Sequence, residues 1–282
     1  MIIDKVNLPG DLKSLNVADL AQLSQELKQF VITNTNTKAG HIKSSLAVSE
    51  LTVALHYVFN TPNDKLIWDV GHQAYIHKVL TGRKSVFHTN RKKGGLAGFT
   101  NSLESEYDPF GAGHSSTSIS AAVGFAIGSR LSKSPRKHIA VIGDGAITGG
   151  MSFEALNYLG EQGLDVLIIL NDNESSIDQN VGALAKYSSY SKYCESLGIE
   201  YLGEVDGHDI ETLVTQLKVA RDNTKPRLIR VKTQKKAGEN AKAQIVNSRP
   251  SSFQEVFAET MINMATQNDK LVAITPAMLS GS

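Results

Sequence analysis

The chain has a single cysteine, Cys194, among 282 residues. A disulfide framework within the chain is therefore excluded, and a lone thiol is expected to be a packed side chain rather than a nucleophile. Net charge is equally scarce. The 29 Lys and Arg against 28 Asp and Glu leave +1, which gives no reason to expect nucleic acid or an acidic membrane surface as partner. No apolar run approaches the ~20 residues of a membrane span. The opening MIIDKVNLPGDL carries acidic residues and no long apolar run, so it does not read as a signal peptide. A cytoplasmic protein is expected. Repeats and low-complexity tracts are missing as well. What is present is 41% hydrophobic and 20% charged. That composition fits a globular chain with a sizeable core, long enough for one large α/β domain or two small ones.

The chain is organised around HIAVIGDGAITGGMSFEALNYLGEQGLDVLIILNDNESSI, residues 138–177. Ile139–Ile142 and Val166–Leu170 are short, β-branched apolar runs and read as buried parallel strands. Met151–Leu159 between them reads as a helix, so the unit is βαβ. Gly143-Asp144-Gly145 follows the first strand and Asn171-Asp172-Asn173 the second. In an open α/β sheet ligands bind at that edge, and neighbouring strands lie about 5 Å apart. Asp144 and Asn173 can then reach one point. A carboxylate and an amide oxygen are hard ligands suited to Mg²⁺ or Ca²⁺. Glycines at 143 and 145 let backbone N–H groups approach an anion, and the positive end of the next helix faces it. A metal-bridged diphosphate is the economical reading. The plainer alternative is a strand-to-helix turn in which Asp144 caps the helix.

In chain order, Asn16 is expected to cap a helix with Asp19 completing a capping box, and Leu20, Leu23, Leu27 and Phe30 mark its apolar face. One buried helix is expected from about Ser44 to Phe59, with His41 in the loop before it. Leu66–Val70 is a strand, and His72 falls at its carboxyl end, on the edge that carries Asp144. His77 and Lys78 read as helical and peripheral. Thr81 to Asp108 is polar and glycine-rich, either a solvated loop or a substrate-side lid. Glu104, Glu106 and Asp108 are expected to fix that loop rather than to bind metal. Gly113–Ser118 opens a small-residue helix, Ile119–Ser129, and its hydroxyls suit a cap or an anion site. Asp209 is expected to cap the helix Ile210–Arg221, and Pro226–Lys232 is the last strand.

GDG followed some thirty residues later by Asn resembles the thiamin diphosphate (ThDP) fingerprint of transketolase-like enzymes. Further blocks narrow the likeness: Leu51–Pro62, LIWDVGHQAY from Leu66, KGGLAG from Lys93, ESEYD from Glu104 and GHSSTSIS from Gly113. Together they resemble the 1-deoxy-D-xylulose-5-phosphate synthase family, from about Leu15 to Gly281. The resemblance implies a ThDP-binding transketolase-like fold, a mostly parallel sheet with helices on both faces. It implies a ThDP- and Mg²⁺-dependent transferase that joins pyruvate to glyceraldehyde 3-phosphate with loss of CO₂, feeding isoprenoid, thiamin and pyridoxal synthesis, in a homodimer. It assigns His41 as catalytic. It assigns His72, Gly113, His114, Ser115, Gly145, Ala146 and Asn173 to the cofactor, and Asp144, Asn173 and the main chain of Ser175 to the metal. It divides the chain into a diphosphate-binding domain (1–236), a linker (237–251) and the start of a second, pyrimidine-binding domain (252–282).

Three departures from the family pattern stand out. Ser175 occupies a position where methionine is usual. Gln234–Lys242 lacks the tyrosine expected to touch the cofactor. No residue matches the glutamate of the second domain or the arginines that hold the aldehyde's phosphate. The chain is therefore expected to be inactive by itself. Two alternatives stay open: the diphosphate-binding subunit of a split enzyme, or a truncated, non-catalytic homologue.

Overall fold

The structure is a computed structural model, and it describes residues 1–35, 41–173, 182–184, 189–234 and 253–274. Among these residues five strands form one sheet: β1 (Lys65–Trp68), β2 (His138–Gly143), β3 (Val166–Asp172), β4 (Glu200–Asp206) and β5 (Arg227–Lys232). They lie in the order β1-β2-β3-β5-β4, and every neighbouring pair is parallel. The α/β fold with a parallel sheet is thus as expected. The β-branched runs form its centre because a strand covered on both faces has no polar side to offer. From Ile139 to Ile142, and from Val166 to Leu170, no residue is measurably exposed.

The helices cover both faces. On one face, Leu66, Trp68, Ile139, Val141, Leu167 and Ile169 pack with α1 (Val17–Asn34), α3 (Ser49–Val58) and α4 (Tyr75–Lys78). On the other, Ile67, Ala140, Ile142, Ile168 and Leu170 pack with α5 (Ser118–Leu131), α6 (Gly150–Gln162) and α7 (Tyr190–Ser196). Each fully buried Leu, Ile or Val stabilises the fold by roughly 1.5–3 kcal/mol. The connection from β4 back to β5 runs through α8 (Ile210–Asp222), which packs on the first face. A reversal of direction with constant handedness demands that change of face.

Local signals account for the helix starts. Asn16 accepts from the N–H of Asp19 and Asp19 returns the bond, so the capping box forms. Asp209 accepts from the N–H groups of Glu211 and Thr212 at the start of α8. Cys194 is 1% exposed, and burial pushes its thiol up to about 11, as a packed cysteine requires.

Two expectations and two alternatives are corrected. The helix foreseen over 44–59 is two, α2 (Ile42–Ala47) and α3, because Val48 leaves helical geometry (φ −108°, ψ 21°) while staying fully buried. The helix after GDG begins only at Gly150, behind a 3-10 turn, Ala146–Thr148; its cap position is Gly149, so Asp144 is not its cap. His77 and Lys78 are helical but not peripheral, for both are fully buried. The segment Thr81–Asp108 is not simply solvated either, since Thr81, Arg83, Phe87, Thr100 and Asp108 are buried within it.

The last described segment is helix α9 (Phe253–Ala265), followed to Ile274 by residues without regular structure. Phe253, Phe257 and Ile262 are exposed.

Candidate active site at the carboxyl edge of the sheet

The site is built on the tips of β1, β2 and β3. Trp68 pairs with Val141, and Gly143 pairs with Asn171. Asp144 is the residue after Gly143, and Asn173 lies two beyond Asn171, so both stand past the ends of adjacent strands. Asp144 is buried and Asn173 half-buried. A Cβ added to Gly143 would meet nothing within 4 Å, so open space lies beside this strand tip. Among the described residues no cluster of three His, Cys, Asp or Glu side chains forms a metal site. One carboxylate with amide and main-chain oxygens is a different donor set, the kind a hard cation accepts when phosphate and water complete its shell.

The loop beyond β3 is braced from β5. Thr233 donates its hydroxyl to the Asn171 side chain at 2.7 Å, and its N–H to the Asp172 carbonyl at 2.9 Å. Arg230 pairs with Asp172 and Glu204 and lies 5.2 Å from the ring centre of Tyr190. Tyr190 is buried, and its hydroxyl is pushed up to about 12, first by burial and then by the charges of Asp172 and Asp144. The charges of Asp172 and Asp144 thus reach the Tyr190 hydroxyl at the strand tips.

His41 and His72 come together from different parts of the chain. Their ring centres are 5.3 Å apart, edge to face. Ser45 of α2 donates its hydroxyl to the carbonyl of His72 at 3.2 Å, which ties the helix behind His41 to the loop after β1. Phe99 is 6.3 Å from His41, with the Arg91 guanidinium 5.2 Å from the Phe99 ring centre. Gly113, His114 and Ser115 lie exposed in the turn before α5. Gly113 has φ +153°, and a Cβ there would touch Phe99 at 4.0 Å. Gly145 and Ala146 enter the 3-10 turn after β2. The carbonyl of Ala146 accepts from Ser116 Oγ at 2.7 Å and from Ser152 Oγ at 3.0 Å. His41 thus lies beside both His72 and Phe99, and the turn that holds residues 113–118 is linked to the Asp144 loop through Ser116. Ser175, the linker 237–251 and the altered segment beyond Gln234 lie outside the described residues.

Behind Phe99 is a buried polar network. Asp108 accepts two bonds from Arg83 (2.7 and 2.9 Å), one from His77 Nε2 (2.8 Å) and one from the N–H of Asn101 (2.9 Å). Glu104 accepts from Lys78 and Arg83, and from the N–H of Ala97. His77 Nδ1 meets His56 Nε2 at 2.9 Å, and His56 Nδ1 meets Thr61 Oγ1 at 2.9 Å. Burial alone would raise the Asp108 carboxyl, but the bonds from His77 and Arg83 outweigh it and hold the group ionised well below the usual range. Burial lowers both imidazoles. Neutral rings then give one consistent direction: Thr61 donates to His56, His56 to His77, and His77 to Asp108. Of the three carboxylates expected to fix the loop, Glu104 and Asp108 do so, gripping it on either side of Phe99.

Asp69 and Phe99 did not stand out in the sequence, and Ser116 stood out only as one of the hydroxyls before α5. Asp69 left a usable signal, a lone carboxylate directly after an apolar strand in Trp68-Asp69-Val70. Phe99 left none, and the bonds of Ser116 to Asp69 and Ala146 depend on contacts made across the fold.

A family model described as 1-deoxy-D-xylulose-5-phosphate synthase matches residues 3–193 and 188–233. The chain belongs to the 1-deoxy-D-xylulose-5-phosphate synthase family. It is 42% identical to the 1-deoxy-D-xylulose-5-phosphate synthase of Cytophaga hutchinsonii over 348 residues, covering 99% of this chain and 55% of that protein. It is 41% identical to the same enzyme of Francisella tularensis subsp. mediasiatica, covering 100% of this chain and 55% of that protein. The chain thus spans about half the length of these relatives. The first alignment runs over 348 positions against 282 residues, so at least 66 positions (348 − 282) fall opposite gaps in this chain. The two family matches overlap over 188–193, a stretch that includes Tyr190. Among solved structures, transketolase from Campylobacter jejuni superposes with a TM-score of 0.69 at 23% identity, over 78% of this chain and 38% of that one. At that identity the likeness speaks for the fold, which is transketolase-like.

Proposed function

We propose that this chain supplies the diphosphate and metal half of a ThDP- and Mg²⁺-dependent 1-deoxy-D-xylulose-5-phosphate synthase. Family membership supports the reaction class, and one observation carries the site: Asp144 and Asn173 follow adjacent parallel strands paired through Gly143 and Asn171. Open space beside Gly143 and the buried carboxylate of Asp144 fit a metal-bridged diphosphate. Asp144, Asn173 and the main chain of Ser175 would hold Mg²⁺. His72, Gly113, His114, Ser115, Gly145 and Ala146 would line the cofactor. ThDP, when bound, supplies the carbanion chemistry for joining pyruvate to glyceraldehyde 3-phosphate with loss of CO₂. His41, exposed and beside His72, is suited to exchanging protons with substrate oxygens, the acid–base role that imidazole most often takes.

The domain division belongs to this proposal: 1–236 as the diphosphate domain, 237–251 as linker, and 252–282 as the start of a pyrimidine-binding domain. The exposed apolar side chains of α9 support it, since a helix of a separate unit would not bury them on the first domain. The homodimer belongs to it as well. Among the described residues no helix is long and apolar enough to cross a membrane.

Calorimetry with ThDP and Mg²⁺ tests the assignment. Asp144→Ala is expected to weaken binding by several-fold to ~100-fold, by analogy with the losses caused by removing metal-supporting groups. Equal affinity in the two proteins would remove the metal from this site.

A further inference from the structure

One buried carboxylate is common to the loops that meet above β1 and β2. Asp69 directly follows β1 and is 1% exposed. One of its oxygens accepts the N–H of Ser116 at 2.9 Å, and the other accepts the N–H of Ser118 at 3.0 Å. Both donors belong to the turn that opens α5. The backbone of Asp69 faces the other way. Its N–H donates to the Val141 carbonyl of β2 at 2.8 Å, and its carbonyl accepts the N–H of Gly71 at 2.6 Å.

The loops it joins are strained. Val70 has φ +60° and Ser116 has φ +70°, left-handed backbone that is uncommon for any residue but glycine and an outlier for β-branched Val70. Such conformations persist only where the surroundings over-determine them, and they cluster at ligand sites. Here the surroundings are explicit. The Ser116 N–H is held by Asp69 and its hydroxyl by the Ala146 carbonyl. A Cβ on Gly149 would lie 2.2 Å from Ser116 Oγ, so the turn fits tightly against the loop beyond β2. Gly71, at φ +85°, has no room for a Cβ beside the Thr100 backbone at 2.9 Å. Burial raises the Asp69 carboxyl while the bonds from Ser118 and Ser116 oppose that rise. A buried carboxylate placed against backbone donors, two oxygens for two N–H groups, is a means of fixing a turn.

We propose that Asp69 is a positioning residue for the diphosphate pocket. Through Ser116 and Ser118 it locks the His72 loop, the Gly113–Ser118 turn and the Ala146 turn into one rigid rim. The inference rests on the cofactor reading above and extends it to a residue that does not itself touch the ligand. Asparagine has the same shape but one acceptor, and it turns an NH₂ toward the second N–H.

The test uses the 282-residue chain well below its unfolding temperature, with ThDP and Mg²⁺ in a calorimeter and, separately, amide exchange without ligand. Asp69→Asn is expected to weaken binding by ~10–100-fold, the size of loss seen when the supports of a site are removed. Exchange at Ser116 and Ser118 is expected to quicken at least ~10-fold while β2 and β3 keep their protection. A merely structural role would lower the unfolding temperature and leave the affinity of folded molecules unchanged. That outcome, or wild-type exchange at both serines, overturns the assignment and leaves the cofactor reading standing. If Asp69→Asn does not fold, Ser116→Ala, which removes only the bond to Ala146, is expected to weaken binding several-fold; unchanged affinity there refutes the rigid rim. A wild-type chain that takes up no ThDP overturns both readings.

Discussion

Acidification to pH 5.5 is expected to weaken the fold through two histidines that face no solvent. His56 and His77 are both fully buried, and burial lowers both below the ordinary imidazole value, His56 well below. The unfolded chain binds their protons near pH 6.5 and the folded chain does not. Their stabilisation is therefore complete above that value and is lost as pH falls through it. A ring still neutral at pH 5.5 costs about 1.4 kcal/mol between pH 7.5 and pH 5.5, so the pair removes at most roughly 2.7 kcal/mol. His138, buried and likewise lowered by burial, acts in the same direction. Against a domain stability of about 5–15 kcal/mol this is a large fraction. Urea unfolding at half-unit steps of pH measures the loss. Imidazole NMR shows whether His56 and His77 remain neutral in the folded chain. A urea midpoint that does not move between pH 7.5 and pH 5.5 would refute the reasoning. So would either ring titrating at or above 6.5. The effect bears on the site because His77 is bonded to Asp108, which holds the loop that carries Phe99 to His41.

Two further substitutions probe the scaffold, beside Asp144→Ala and Asp69→Asn for the site. Asp108→Asn leaves the buried Arg83 guanidinium without its two-pronged partner, and a cost of about 3–5 kcal/mol is expected in urea unfolding; a change under ~1 kcal/mol would show that the network does not bear on stability. Gly160→Ala places a Cβ 1.8 Å from the Leu197 carbonyl, a backbone atom that cannot swing aside. A loss of about 1–3 kcal/mol or more follows from overpacking, read as a lower thermal midpoint, and an unchanged midpoint would contradict the close approach of α6 to the end of α7.

Much of the frame was legible from residue order alone. The strands at 138–143 and 166–172 announce themselves by β-branched runs, since burial on both faces leaves no alternation to disguise them. Asn16 and Asp209 mark helix starts because a cap is a local bond between a side chain and the next turn. The placing of Asp144 and Asn173 at strand tips is local for the same reason: each follows the last residue of its own strand.

Other features belong to the tertiary structure. A lysine and a histidine at the end of a short helix look peripheral in sequence, yet Lys78 and His77 are buried, because Glu104 and Asp108 come from a loop about thirty residues away to satisfy them. Val48 breaks a helix whose pattern runs on unbroken, because core packing, not propensity, fixes its backbone. The pairing of His41 with His72, and the grip of Asp69 on Ser116, also needed the folded chain. Local bonds and hydrophobic periods are written in neighbouring residues. A buried charge is tolerated only when a distant partner arrives, and only the closed structure names that partner.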